Sequence, residues 1–433
     1  MERQYKDSGI EWIGKIPETW EVDIAKHAFK QRREKGNDVE CQLLAATQKN
    51  GMYPQHLLEG VVKVAADTDL NMFKTVHKND YVISLRSFQG GFEMSDYEGV
   101  CSPAYQVFYA TRRTANQYYK YLFKSDAFIQ EINSLTVGIR EGKNILYDDF
   151  ALLPIPIPTV DDQQRIADYL DEKCGEIDSL IALQEQMIEK LKAYKQSFIT
   201  EAVTKGLNPN AKLVPSSIDW IEEIPEGWTV KPFKELFRTG KGLSFTKADL
   251  VKEGVPVISY GQVHSKLNTG TCIIDELIRY VPEDIAKTGL SSKVKVGDFI
   301  FADTSEDLSG CGNCVYVDKE VGLYAGYHSV IAFSKRQVSN LYLAYLFLTD
   351  CWRSQIRCRV SGIKVFSISQ SIIKQTSIVL PPIDEQHNIA AYLNEKCADV
   401  DRLIALKEQK IEKLKDYKKS VIYEAVTGKT NIE

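Results

Sequence analysis

Apolar residues recur at three- and four-residue spacing through positions 161–204. Ile177, Leu180, Ile181, Gln184, Ile188, Leu191, Tyr194 and Phe198 form one stripe, while Asp178, Glu185, Lys190, Lys192 and Lys195 keep mostly to the other side. Positions 384–427 repeat the stripe at Val400, Leu403, Ile404, Lys407, Ile411, Leu414, Tyr417 and Val421, and about two-thirds of the positions aligned without gaps are identical. Each copy reads as an amphipathic helix. Gly175 is expected to end a short first helix (161 to about 172) and to leave a main helix of roughly 30 residues, about 45 Å at 1.5 Å per residue. So narrow a seam does not make a core alone; it needs a partner helix, and the other copy is the nearest candidate.

A shorter repeat sets the order of parts. SGIEWIGKIPETWEV at 8–22 matches SSIDWIEEIPEGWTV at 216–230, with Trp12/Trp220, Pro17/Pro225 and Trp20/Trp228 in register. Such a leader suits a docking segment and a hydrophobic staple under the next domain equally well. The long repeats are offset by 223 positions and the leaders by 208, so similar frames enclose dissimilar inserts of unequal length. The chain then divides into a leader (1–20), a first insert (21–158), a helical region (159–205), a linker with the second leader (206–228), a second insert (229–382) and a distal helical region (383–429).

Inside the inserts the period changes to two. Short alternating runs at 41–47, 81–85 and 102–110, and at 255–261, 297–303, 312–317 and 328–334, read as strands, and 116–133 and 340–357 read as helices. Each insert is α+β with β predominating, in a tandem pseudo-twofold repeat.

Composition narrows the function. With 433 residues and 44% hydrophobic content there is material for two cores. No stretch approaches about 18 uncharged apolar residues, and MERQYKDSG lacks an apolar signal region, so a soluble, cytoplasmic protein away from membranes is expected. Nine cysteines without a disulfide framework suit a reducing compartment. Cys311 and Cys314 form a lone CxxC with no nearby histidine pair, which favours two free thiols in a turn over zinc. The net charge of −5 is unusual for a chain that grips nucleic acid unaided, so DNA contact would need local patches or a partner.

Catalytic constellations are missing. TGKG at 239–242 lacks the spacing of a phosphate loop, Asn208-Pro209-Asn210 lacks the aromatic of an adenine methyltransferase motif, and no carboxylate–lysine nuclease cluster stands out. The chain is expected to bind and not to catalyse. Arg86, Ser87 and Gln89 follow the strand at 81–85; Thr304 and Ser305, flanked by Asp303 and Glu306, follow the one at 297–302. Such side chains can read base edges, although a solvated loop would carry them too. Arg140, Lys143 and Asn144 surround a Gly138-Ile139 turn matched by Gly362-Ile363-Lys364, and a basic residue after a permissive glycine suits a phosphate contact. Arg357 and Arg359, with Arg353, add positive charge beside the second turn, while Tyr105 and Tyr327, the latter next to His328, are expected in the core.

The leaders IEWIGKIPETW and IDWIEEIPEGW, PPIDEQ at 381–386 with its relative TVDDQQ, the helix ends KLKAYKQSFITEAVT and KLKDYKKSVIYEAVTGK, and SGIKVFSIS at 361–369 together give the layout a recognisable form. Over essentially its full length the chain resembles the specificity subunits of type I restriction-modification systems. It departs in Thr159-Val160-Asp161, which replaces a proline-acidic run, and in Lys205-Gly206, which inverts Gly428-Lys429. The resemblance implies that the inserts are target recognition domains, each reading one half of a split, asymmetric DNA sequence. It implies long helices paired antiparallel, coiled-coil fashion, as a spacer; 45 Å corresponds to about 13 base pairs at 3.4 Å rise. It further implies two methyltransferase (modification) subunits and motor-nuclease restriction subunits as partners, to which S-adenosylmethionine and ATP with Mg belong, with no cofactor or metal in this chain. A helical scaffold without sequence reading is the competing class, and it predicts no preference in a salt-controlled DNA selection. A chain that cuts or methylates alone is disfavoured by the missing motifs.

Overall fold

The computed structural model describes residues 3–36, 42–48, 50–58, 70–85, 91–134, 145–335 and 337–432. Two compact units emerge, residues 1–185 with 408–433 and residues 186–407. Each is built around one of the two inserts.

In the first unit the alternating segments form a four-stranded antiparallel sheet in the order Phe29–Arg32, Gln106–Ala110, Tyr81–Ile83, Phe92–Met94. The second unit has the same order with Phe237–Lys241, Ser329–Ser334, Phe299–Ala302 and Cys314–Tyr316. The inserts are therefore alike in topology although dissimilar in sequence. Against the first sheet pack Phe123, Phe128 and Phe150, in edge-on and tilted contact with Phe29, Phe92 and Phe108. Phe347 and Trp352 do the same for Phe237, Phe299 and Phe301. What differs lies around this core: a hairpin Leu44–Thr47/Gly51–Pro54 and an antiparallel pair Lys74–Val76/Gly99–Cys101 in one unit, and a three-stranded sheet of Arg279–Val281, Val255–Ile258 and Tyr324–Ala325 in the other.

The helices expected at 116–133 and 340–357 are each two helices, Asn116–Lys124 with Asp126–Ser134 and Asn340–Phe347 with Asp350–Arg357. The breaks fall at hydroxyl residues. The Ser125 side chain accepts from the Phe128 amide at 3.4 Å and that of Thr349 from the Trp352 amide at 3.4 Å, so each starts a new helix where an uninterrupted apolar stripe suggested continuation.

Gly175 does not break the first long helix. Val160–Lys205 is continuous over 46 residues and Ile383–Val426 over 44, about 69 and 66 Å at 1.5 Å per residue. A glycine inside a helix costs about 1 kcal/mol relative to alanine, which packing along so long a seam outweighs. Each unit takes the N-terminal part of one long helix and the C-terminal part of the other. In the first, Ile166, Leu170 and Cys174 share a core with Val421, Ala425 and Val426; in the second, Phe198, Ala202 and Val203 share one with Ile389, Leu393 and Val400. The Lys418 ammonium lies 2.7 Å from the Asp178 carboxylate, and Lys195 lies 2.7 Å from Asp401. These are the same pair under the 223-residue offset, and in both units the helices run antiparallel. The buried seam is narrower than the sequence stripe: Leu180, Tyr194, Leu403 and Tyr417 are exposed.

The leaders are staples. Trp20, fully buried, donates its indole hydrogen to Asp162 at 3.0 Å, and Trp228 donates to Glu385 at 3.0 Å; both carboxylates lie in the first turn of a long helix, where the helix dipole favours them. The same indoles cover the end of the other long helix. Gly206 (φ 76°) and Gly428 (φ 74°) take the left-handed conformation after the last turn, and a Cβ on Gly428 would lie 2.9 Å from Trp20. The Tyr118 hydroxyl donates to the Val426 carbonyl at 2.7 Å, as Tyr342 does to Val203 at 3.0 Å. Thr159, which departs from the family pattern, caps its helix: its hydroxyl accepts from the Asp162 amide at 3.2 Å.

Candidate nucleic-acid interface

In the second unit the central strand Phe299–Ala302 runs out of the sheet into Asp303, and its edge is extended by a short ladder. Thr304 pairs with Ser367 and Ser305 with Phe366, while the Ile368 amide donates to the Asp303 carbonyl at 2.7 Å. Two segments separated by about sixty residues of sequence, the loop with Thr304 and the turn with Lys364, thus form one structure. Ser361 bridges to Ser367 across the turn, and Gly362 (φ 150°) closes it; a Cβ there would lie 2.1 Å from the Val365 carbonyl.

His328 stands at the centre of this edge. Its φ of 53° lies in the left-handed region, a conformation costly for a side chain with a Cβ and common where function demands it. Its Nδ1 lies 3.2 Å from Asp303 Oδ1, and its ring centroid is 5.5 Å from that of Tyr260 and 5.9 Å from that of Tyr327. His264, nearby, is fixed by two contacts: Asn313 Nδ2 donates to Nδ1 at 3.2 Å, so Nε2 carries the hydrogen donated to the Thr304 carbonyl at 2.8 Å. Two clefts open beside these residues. One, of about 930 Å³, is lined by Tyr260, His264, Asp307, Arg353 and Arg357; the other, of about 980 Å³, by Lys241, Phe245, Tyr327 and Gln370; Thr304 and His328 line both.

The predicted site residues fall into three groups. Arg86, Ser87, Gln89, Arg140, Lys143 and Asn144 lie outside the described residues. Thr304 and Lys364 belong to the assembled edge, with Lys364 exposed; Arg359, also exposed, follows the helix Asp350–Arg357 and donates back to the Gln355 carbonyl. Ser305 and Arg357 are turned to internal work. The buried Ser305 hydroxyl donates to the Asp307 carbonyl at 2.7 Å, and Arg357 donates to Asp350 Oδ1 at 2.8 Å and to the Ser309 carbonyl at 3.0 Å. Arg353 is partly buried and donates to the Phe347 carbonyl at 2.8 Å, and burial pulls its pKa down. Tyr327 is not a core residue; it lines a cleft, edge-on to Phe245 at 5.0 Å. Tyr105 packs partly buried against the small cluster that includes Leu44 and Val107.

Sequence reading missed Asp303, Tyr260, His264 and His328 as a group. A histidine following GY gives no sign of its backbone angle, and these residues meet through contacts distant in sequence: the Phe299–Ala302 and Ser329–Ser334 pairing continues as the Asp303 amide donating to the His328 carbonyl at 3.1 Å, and the Tyr260 amide donates to the Tyr327 carbonyl at 3.3 Å. The edge offers what reading a base edge requires, namely donors and acceptors held by neighbours, with exposed cations beside them.

The CxxC thiols lie in the core. Cys311 and Cys314 are buried, and burial pushes the Cys314 thiol up to about 12. Among the described residues there is no His, Cys, Asp and Glu cluster suited to a metal, and no helix long and apolar enough to cross a membrane.

The comparisons with known proteins agree on one family. The model for the type I restriction modification DNA specificity domain matches twice, at residues 24–193 and 225–416. The MjaVIII specificity subunit of Methanocaldococcus jannaschii is 23% identical over 429 residues, which cover 97% of this chain and 95% of that one. The EcoKI specificity subunit of Escherichia coli is 24% identical over 211 residues, 48% of this chain and 44% of that one. Among solved structures, a chain from a type I R-M system described for its assembly and conformational transition superposes with a TM-score of 0.70 at 15% identity, covering 96% of this chain and all of that one. The HsdS subunit from Thermoanaerobacter tengcongensis gives a TM-score of 0.54 at 15% identity, covering 98% of this chain and all of that one. With both inserts matched, their sheets in the same strand order and their frames related by one repeat, this chain belongs to the type I restriction-modification DNA specificity family and carries two of its target recognition domains in tandem.

Proposed function

We propose that the chain reads a bipartite, asymmetric DNA target, one half with each insert, and brings a modification enzyme to it. The observation that carries this is the contrast between frame and insert. Trp–carboxylate, Tyr–carbonyl and Lys–Asp contacts recur in both units, while the inserts differ after their central strands: Asp303, Thr304, Ser305 and Glu306 stand in one where Arg86, Ser87 and Gln89 stand in the other. Equal frames suit two copies of one partner, and unequal rims suit two different half-sites.

The partners in this reading are two methyltransferase subunits, joined by restriction subunits for cleavage. Leu180, Leu183 and Tyr417 are exposed on the long helices of the first unit, and Leu403, Leu406 and Tyr194 occupy the repeat-equivalent places in the second. The same apolar triplet displayed twice favours two equivalent protein contacts over one. The chain itself would be non-catalytic and cytoplasmic, with S-adenosylmethionine, and ATP with Mg, held by the partners.

The test is the position of methylated adenines in DNA from cells that express this chain with its methyltransferase subunit. A split, asymmetric motif that disappears when the chain is deleted supports the reading. Methylation that is unchanged by the deletion would overturn it in favour of a scaffold.

A further inference from the structure

Ile363 is 96% exposed, the most exposed large apolar side chain among the described residues. A single exposed isoleucine needs no explanation by itself. Its setting does. It occupies the tip of the turn that Gly362 closes, and the base of that turn is fixed three ways: Ser361 bridges to Ser367, Ser367 and Phe366 pair with Thr304 and Ser305, and Ile368, 1% exposed, anchors the far side. The tip is therefore held by the sheet edge that carries His328. Lys364 and Arg359 are exposed on either side in sequence, and the exposed Val365 lines the cleft with Tyr260 and Arg353. An apolar point between two cations complements a duplex, where the apolar base stack lies between two rows of phosphates. The same Gly-Ile-cation triplet stands in the first insert as Gly138-Ile139-Arg140, in otherwise dissimilar sequence.

We propose that Ile363 is a wedge: it enters a groove of the half-site read by the second unit and partly separates one base step, with Lys364 and Arg359 on the flanking phosphates. This rests on the proposed DNA reading and adds a specificity term to it, because steps differ in how easily they open, pyrimidine–purine steps most easily.

The experiment uses the chain assembled with its methyltransferase subunits and duplexes that carry the methylation-mapped target, with 2-aminopurine placed in turn along the half-site assigned to the second unit. Native protein is expected to brighten the probe at one step. Ile363→Ala is expected to abolish that signal and to weaken target binding about tenfold while leaving non-target binding unchanged, and Ile363→Phe is expected to retain the signal. A probe that brightens whatever residue stands at 363 reports the partner's handling of its adenine. If no step depends on residue 363, or if Ile363→Ala leaves target affinity unchanged, the wedge is wrong although the mapped motif still stands. If Ile363→Ala instead weakens assembly of the subunits without DNA, the tip is a protein contact and the wedge is equally overturned. Absence of any mapped motif would sink the DNA reading itself.

Discussion

His328 separates two explanations that often coincide, strain for function and strain by accident. A left-handed non-glycine residue costs of order 1–3 kcal/mol, and here Asp303, Tyr260 and Tyr327 hold it. Glycine takes this φ freely. His328→Gly is therefore expected to leave the melting temperature unchanged or raised while weakening discrimination at one half-site by about tenfold or more, the scale of one lost base contact. Competition binding against single-base variants of the target reads this directly; equal loss at both half-sites would remove His328 from the rim's reading role. Trp20 makes the opposite case, a residue whose work is the fold. Burial alone would raise the Asp162 pKa, but hydrogen bonds from Arg165 and Trp20 and the charge of Arg3 outweigh it, so the carboxyl lies below its usual 3.8. A depressed carboxylate stabilises the fold above its unfolded pKa and loses that contribution as pH falls through the lower folded value. Trp20→Phe should cost about 1–3 kcal/mol near neutral pH, with the gap to native protein narrowing as the pH falls below about 4. A gap independent of pH would mean that lost packing and not the hydrogen bond sets the cost.

At the scale of elements, the long helices were legible in their existence and not in their extent. Gly175 looks like a breaker because propensity is local, whereas the helix is held by a seam that recurs along its whole length. A Cβ at Gly175 would meet nothing within 4 Å, so Gly175→Ala should stabilise by up to about 1 kcal/mol. The glycines at the helix ends should behave otherwise. Both need positive φ, and a Cβ on Gly428 would lie 2.5 Å from the Pro17 ring, whereas one on Gly206 meets the Glu385 carboxylate at 2.9 Å and the Trp228 ring at 3.2 Å. Gly428→Ala is thus expected to destabilise more than Gly206→Ala, each by more than 1 kcal/mol, in denaturant titrations of the two variants. The two-strand ladder of Thr304–Ser305 with Phe366–Ser367 had no sequence signal at all. Its partners are far apart in the chain and too short for a period to show, which is why Thr304 and Lys364 were read as separate loops. The doubled helices were hidden for a related reason: one hydroxyl at Ser125 or Thr349 ends a helix without disturbing the apolar spacing around it.

For the whole molecule the informative quantity is charge. The chain carries a net charge of −5, and the arginines that looked available in the second insert are partly consumed: Arg357 by Asp350 and Ser309, Arg353 by the Phe347 carbonyl, and Arg359, though exposed, by the Gln355 carbonyl. Lys241, Arg359 and Lys364 remain exposed on or beside the edge, with Glu306 and Asp307 also exposed there. Each phosphate neutralised contributes about 0.9 to the fall of log K with log salt, so few contacts mean a shallow slope and weak binding by the chain alone. The expectation is a steeper slope and tighter binding once methyltransferase subunits are present, because they would add contacts that this surface does not supply. Lys364→Ala should then lower the slope of the complex by about 1 and weaken target and non-target DNA alike, in contrast to His328→Gly, which should alter only the ranking of targets. If Lys364→Ala changes the ranking and not the slope, the turn reads bases and the phosphate assignment falls. If the isolated chain already binds its target tightly with the full salt slope, the partners' share of the positive field falls with it.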